Sequence, residues 1–247
     1  MEWSRAKTIL IMAFLALNIL LGYQLWIGKV ELEKTTFNSE ETTREIQQLM
    51  KSKEIRLEAA VSEDTPKLQD ISIRFDPAFD PHRMIELEYP FSVNNLYKAS
   101  EKTKLQQIPR LSDYQLDEGM SNSEVYMMHQ LFNGYPMFEV NLKLLVKHGL
   151  IDGYQQSLAQ IIQNSQNKEQ KVLSGMTAIG SLVENYLPRG SVITDVRLGY
   201  HGQIFNSETQ VLAPSWRIVT RKGDVFYVHA ITGAVAAPQK ETDAKDK

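Results

Sequence analysis

The chain has 247 residues, 43% of them hydrophobic, with no cysteine and a formal net charge of -3. The missing cysteines exclude disulfides, thiolate nucleophiles and sulfur-ligated zinc. A slightly acidic balance provides no field for neutralising a run of phosphates, so nucleic acid is excluded as a partner, while the length suffices for one substantial core or two small ones.

Residues 8–27, "TILIMAFLALNILLGYQLWI", carry no charge. As a helix rising about 1.5 Å per residue they cover roughly 30 Å, the thickness of a bilayer's hydrocarbon core, and predict one transmembrane helix. Arg5 and Lys7 precede the run, whereas Lys29, Glu31, Glu33 and Lys34 cancel after it. That bias keeps the amino terminus in the cytoplasm and puts everything from about Gly28 onward outside the cell membrane. Trp3, Tyr23 and Trp26 fall where amphipathic rings sit among headgroups. "LLGYQLWIGKVE" lacks the small-x-small pattern of a cleavage site, which favours an uncleaved anchor over a secretion signal. Ile11, Leu15, Asn18 and Gly22 follow at helical spacing and share one stripe. Two readings of it stand: contact with a partner helix, through a cross-helix hydrogen bond from the Asn18 amide, or a lone Asn satisfied by its own backbone.

Residues 30–54 are charged and free of Gly and Pro, which suits a helical stalk. Asn38 or Ser39 is its N-cap, Glu40 and Glu41 fall in the first turn, Lys51 and Lys53 near the last, and Phe37, Ile46, Leu49 and Met50 give a partial apolar stripe. Beyond it, "DISIRF" and "MIELEY" alternate as half-buried strands, divided by the two Asp-Pro steps of "DPAFDPH". "SEVYMMHQLF" and "PMFEVNLKLLVKHG" continue as strands, the end of the second being open to a helical reading. "LIDGYQQSLAQII" reads as a turn through Asp152 and Gly153 followed by a strand.

In "VLSGMTAIGSLVENYLPRG" a helix is predicted, with Ser174 as N-cap, Met176, Ile179, Val183 and Tyr186 on one face, and Pro188 with Gly190 closing it. Three strands follow in "SVITDVRLGYHG", "APSWRIVTR" and "DVFYVHAITG", the last two joined by a hairpin at "RKGD", with a further turn at Gly233. Apolar on both faces, "VFYVHAI" is expected to be a central strand against the helix. The fold class is therefore α+β: a transmembrane helix, a helical stalk, then antiparallel sheets with packed helices. The expected organisation is a cytoplasmic tail (1–7), transmembrane helix (8–27), stalk (28–54), N-terminal extracytoplasmic subdomain (55–132), C-terminal α+β subdomain (133–238) and disordered tail (239–247).

No catalytic, cofactor-binding or metal-binding grouping stands out. His82, His129, His148, His201 and His229 include no pair spaced for one metal ion and read as surface or sheet residues. There is no G-x-S-x-G elbow and no phosphate-cradling glycine loop. A wall hydrolase would need convergent carboxylates with perturbed pKa values, and no cluster in the sequence favours one. Trp216 reads as core, Tyr200 and Phe205 as core or binding surface, and "TRKGD", with Arg217 on the strand before it, as a solvated hairpin tip.

The amino-terminal "MEWSRAKTILIMAFLALNILLGYQLW", the mid-chain "YPMFEVNLKLL" and "IDGYQQS", and the closing "VLSGMTAIGSLVENYLPRGSVITDVRLGYHGQIF" and "SETQVLAPSWRIVTRKGDVFYVHAITGAV" resemble the YycI (WalI) family. The resemblance implies a non-enzymatic, bitopic membrane protein with an extracytoplasmic α+β domain. It would act with a YycH (WalH) companion on the sensor histidine kinase WalK (YycG), whose response regulator is WalR (YycF), in control of cell-wall metabolism. It also implies that the membrane helix touches the kinase, which favours the partner-helix reading of Ile11, Leu15, Asn18 and Gly22. "FYVHAITG" is similar as well to the hairpin of PepSY-type modules, from which His229 departs, Asn or Asp being usual there. The alternative function is accordingly a PepSY-like binding module for a secreted peptide or peptidase.

Overall fold

The computed structural model describes residues 7, 10–23, 39–96, 98, 102–162 and 168–236. The chain divides into two units, 1–47 and 48–247. The first contains helix α1 (10–23), whose side chains are exposed along its whole length: Leu10 is 72% and Phe14 65% exposed. No helix among the described residues is long and apolar enough to cross a membrane. Of the expected span, residues 8, 9 and 24–27 lie outside the described residues, as do 28–38 of the stalk and the tail from 237. Helix α2 (Ser39–Ser52) stands where the stalk helix was expected, with Lys51 in its last turn and Ile46 and Met50 buried.

The second unit is mixed α+β. Its strands in chain order are β1 (Arg56–Leu57), β2 (Lys67–Leu68), β3 (Ile71–Phe75), β4 (Ile85–Phe91), β5 (Tyr114–Asp117), β6 (Val125–Phe132) and β7 (Tyr135–Lys147). Then follow β8 (Leu150–Gln156), β9 (Ala159–Ile162), β10 (Gln170–Lys171), β11 (Val192–His201), β12 (Gln210–Thr220), β13 (Val225–His229) and β14 (Val235–Ala236). A four-residue helix α3 (Lys102–Leu105) precedes β5, and α4 (Gly175–Asn185) lies between β10 and β11. Twelve strands form one sheet whose main path runs β14-β13-β12-β11-β7-β6-β5, with β8 and β4 branching from β7, β3 and β9 from β12, and β1 beside β11. The pairings are antiparallel except β1 with β11 and the single contact Tyr200↔Met137 between β11 and β7. Strands β2 and β10 pair separately.

Hairpin turns set the register of the middle of the sheet. Asn133 and Gly134 (φ 50° and 85°) join β6 to β7, and His148 and Gly149 (φ 52° and 79°) join β7 to β8. Two consecutive positive φ angles match the right-handed twist of the flanking strands, and Asn-Gly is the pair that adopts them most cheaply. The turn expected at Asp152 and Gly153 is thus four residues earlier, and both residues lie within β8. Gly153 answers to close approach instead, since a Cβ there would meet the methyl of Met84, just before neighbouring β4, at 2.9 Å and the Ile85 carbonyl of β4 at 3.1 Å. Strand β7 stays extended to Lys147, with no helical end.

Helix α4 begins as expected. The Ser174 hydroxyl accepts from the Thr177 amide at 3.2 Å, satisfying one of the free donors of the first turn. At the other end the Lys53 ammonium donates to the carbonyls of Val183 (2.7 Å) and Glu184 (2.8 Å), placing a cation on the negative end of the helix dipole. The buried face consists of Gly175, Ala178, Ile179, Leu182 and Val183. Met176 is only half-buried and Tyr186 is exposed, so the apolar stripe is rotated from the one expected. Tyr186 forms the helix C-cap, where the backbone leaves helical geometry, and its ring turns outward.

The helix packs over β12, which carries β11 and β13 on its two sides. Trp216 fills the space left by Gly175 and donates its indole N–H to the Leu173 carbonyl at 3.0 Å, confirming it as core. Strand β12 is buried on both faces from Pro214 to Thr220 and is the central strand, whereas β13 has only β12 and the two-residue β14 beside it. Further cores lie between β4, β6, β7 and β8, around Phe91, Met128, Leu142, Leu144 and Ile151, and where β3 meets β7, β11 and β12, around Ile73, Met137, Tyr200 and Leu212.

Gly199 marks the crossing of β11 over the start of β7. A Cβ there would lie 2.4 Å from the Pro136 carbonyl and 2.7 Å from the Phe138 ring. Gly199→Ala should lower unfolding stability by about 1–3 kcal/mol, because the backbone oxygen must shift to admit the methyl group. Chemical denaturation of the purified chain checks this; an unchanged midpoint would show that the crossing relaxes freely.

Candidate functional site

Strand β5 stands four places from β12 along the sheet, yet the Asp117 carboxylate meets the Arg217 guanidinium. The sheet curls until its end faces its middle. Arg217 is 1% exposed and Asp117 fully buried. The guanidinium grips the carboxylate through both terminal nitrogens, Nη1 to Oδ2 and Nη2 to Oδ1 at 2.9 Å, and Nη2 also donates to Asp195 Oδ2 at 2.8 Å. This is the bidentate geometry for which the planar guanidinium is suited. Arg217 is therefore not part of the solvated tip: Arg221, Lys222, Gly223 and Asp224 are exposed, and Arg217 lies inside the sheet. Side chains alternate along the strand, and Arg217 belongs to the face opposite Trp216.

Arg197 is the cross-strand partner of Arg217, so two cations oppose one another across β11 and β12. Like charges in that position repel. Asp117 relieves this, with Oδ1 3.6 Å from Arg197 Nη1, and Asp195 adds a second negative charge. Burial by itself would raise the Asp117 pKa, but the adjoining His129 ring and the two guanidinium groups outweigh it and hold the carboxyl well below the usual carboxylate range. Burial would likewise make Arg217 easier to deprotonate; Asp117 and Asp195 reverse that and push its pKa up. His129, on β6, puts Nε2 3.0 Å from Asp117 Oδ2 but off the line of a hydrogen bond, and its Nδ1 also has no hydrogen-bond partner.

From this cluster a chain of ring contacts runs on. Phe138 lies beneath the guanidinium at 4.8 Å, meets the His129 ring edge to face at 5.6 Å, and packs on Tyr227 at 5.5 Å. The His201 ring stacks on Tyr227 at 3.6 Å and its Nδ1 contacts the Glu139 carboxylate. Burial and then the Glu139 charge push the Tyr227 phenol up to about 12. Every carboxylate of this spine faces a cation or an imidazole at close range. Its chemistry is structural: it joins β5, β6, β7, β11, β12 and β13 face to face.

The remaining sequence candidates are dispersed. Ile11, Leu15, Asn18 and Gly22 all lie on α1, exposed, with nothing within 4 Å of a Cβ built on Gly22. His82 and His148 are exposed in turns, and His229 ends β13. Tyr200 is buried while Phe205 is 65% exposed. Among the described residues no group of three or more His, Asp or Glu side chains is placed to hold a metal ion. Sequence reasoning passed over Asp117 and Asp195 altogether. The available signal was Arg217, a lone charge inside an otherwise apolar, doubly buried run, which has to find a buried counter-charge.

The second unit is thus an α+β domain with a buried, charge-paired interior. The family model described as YycI protein matches residues 78–231, more than half of the chain, and the chain belongs to the YycI family. Membership marks it as a regulatory protein and associates it with the WalK/WalR two-component system. No curated protein matches it. Among solved structures it is similar to an uncharacterized protein from Eubacterium rectale ATCC 33656, with 9% identity, a TM-score of 0.36 and coverage of 81% of this chain and 82% of that one. A likeness of that degree has no bearing on function.

Asp117→Asn should destabilise the fold by about 3–5 kcal/mol, leaving Arg217 buried without its main counter-charge, and Asp117→Leu combined with Arg217→Met should recover much of the loss. The depressed Asp117 pKa also predicts an acid limb. Its contribution is complete above the unfolded value of about 3.9 and is lost as pH falls from there toward the lower folded value. Urea titrations across that window should show a steeper fall for the native chain than for Asp117→Asn. Equal slopes would remove Asp117 from the acid response.

Proposed function

We propose that the chain is a bitopic membrane regulator which, with a YycH-like companion, biases the WalK sensor kinase between its signalling states. Residues 1–7 are cytoplasmic, 8–27 cross the membrane once, 28–54 form a stalk, and the subdomains 55–132 and 133–238 are extracytoplasmic. The carrying observation is the family match over residues 78–231. Helix α1 supports the membrane reading, because Leu10, Met12, Leu15, Ile19 and Leu20 are exposed on all its sides, and a helix apolar all round is stable only when its whole surface is removed from water. The YycH-like companion and the direct helix contact rest on the family resemblance. The PepSY-like reading of the C-terminal half rests on the resemblance of "FYVHAITG" alone.

A single-pass protein shifts a partner's equilibrium only by binding one state better than the other, on a scale of about 1–3 kcal/mol. In this reading the stripe Ile11, Leu15, Asn18 and Gly22 supplies that preference in the bilayer, where Asn18 contributes a cross-helix hydrogen bond worth on the order of 1 kcal/mol. Asn18→Leu should reduce recovery of the kinase with the chain roughly five- to tenfold, or shift kinase output, with the outer domain still folded. Photocrosslinkers placed along residues 11–23 should capture the kinase from the Asn18 face. Unaltered recovery and output in Asn18→Leu would take the stripe out of the mechanism, and capture of a secreted peptide or peptidase with no kinase would favour the binding-module alternative.

A further inference from the structure

Strand β13 ends in a turn whose geometry depends on one ring nitrogen. His229 Nδ1 accepts from two backbone amides, Ile231 N–H at 3.2 Å and Thr232 N–H at 3.3 Å. An atom that accepts must carry a lone pair, so this geometry requires an unprotonated Nδ1. The side chain does what an Asn or Asp oxygen does in an Asx-turn, namely gather the amides two and three residues ahead. An Asn amide would do so at any ordinary pH. A histidine does so only until Nδ1 is protonated.

The rest of the turn is held by His229 N–H to the Ala234 carbonyl (2.8 Å), Gly233 N–H to the His229 carbonyl (2.9 Å) and Ala234 N–H to the Thr232 hydroxyl (3.3 Å). It delivers β14, a strand of two residues whose pairing with β13 consists of Tyr227↔Ala236 and Val228↔Val235. Across β12, His229 faces Ser215. Gly233 approaches Leu173 and the Ser181 hydroxyl of α4, neither of them charged. The titratable and charged groups on His229's own face of the sheet are Tyr227, two residues back, the His201 ring stacked on it, Glu139 against His201, and Arg217 opposite Tyr227.

We propose that His229 is a proton-operated clasp on the β13–β14 turn. When Nδ1 takes up a proton, its new N–H points at two other N–H groups, two hydrogen bonds become one repulsive cluster, the turn opens, and β14 leaves the edge of β13.

The test uses the full chain in detergent micelles, comparing native protein with His229→Asn at about pH 7.5 and at a lower pH, about 5.5 or below, at which nitrogen-15 spectra show the His229 imidazole protonated. Backbone hydrogen exchange is followed at Ile231 and Thr232 and corrected for the intrinsic pH dependence of exchange. The native chain should lose about tenfold in protection at the lower pH, while His229→Asn keeps its protection at both. Nitrogen-15 spectra of the native imidazole should show His229 with an unprotonated Nδ1 at the higher pH, a readout independent of whether the variant folds. Three results would overturn the clasp: equal native protection at both pH values, an equal loss in His229→Asn, which would transfer the effect to His201 or Glu139, or a proton on Nδ1 at the higher pH.

Discussion

The buried pairing of Arg217 with Asp117 decides how the sheet closes. Strands that neighbour one another in the sheet are joined by backbone hydrogen bonds, but β5 and β12 are not neighbours, and only side chains link them. Two charges removed from water repay their desolvation only in close, aligned contact. That condition admits one register of β5 against β12, whereas apolar side chains tolerate sliding. Arg197 tightens the condition, since without Asp117 and Asp195 two guanidinium groups would oppose each other across β11 and β12.

Strand β12 consequently has two unlike faces with a division of roles. Toward α4 it presents Trp216 and Ile218, whose burial supplies non-directional stability. Toward the curl it presents Arg217, and beyond it Phe138, Tyr227, His201 and Glu139, a directional network. Each of these groups is in contact with another member of the spine, so the network spans the face of the sheet from β5 to β13.

Local patterns in the sequence carried the elements. Alternation marked β3, β4, β6 and β7, the Ser174 cap and the Pro188-Gly190 stop marked α4, and "RKGD" marked the β12–β13 hairpin. The failures were tertiary. Asp152-Gly153 has turn composition, yet Gly153 is there because Met84 and the Ile85 carbonyl of β4 press on it, and a strand neighbour 68 positions away in sequence leaves no local trace. The central position of β12 was hidden because both it and β13 are apolar on two faces, and only the presence of β11 separates them. The charge cluster was half hidden: Arg217 stands out in an apolar run, but Asp117 is 100 residues away and looks like a surface residue beside its own loop. Family resemblance was legible because it draws on long stretches at both ends of the chain at once.

The magnitudes then order the parts by what a partner is able to move. A regulatory contact delivers about 1–3 kcal/mol of preference between states. Breaking a buried ion pair costs about 3–5 kcal/mol, more than such a contact delivers, so the Arg217–Asp117 joint stays shut through it. A turn held by two backbone hydrogen bonds to a ring nitrogen is worth far less, each bond contributing about 0.5–1.5 kcal/mol net. Within the second unit the charged interior therefore fixes the frame, and the β13–β14 turn is one of its softer margins.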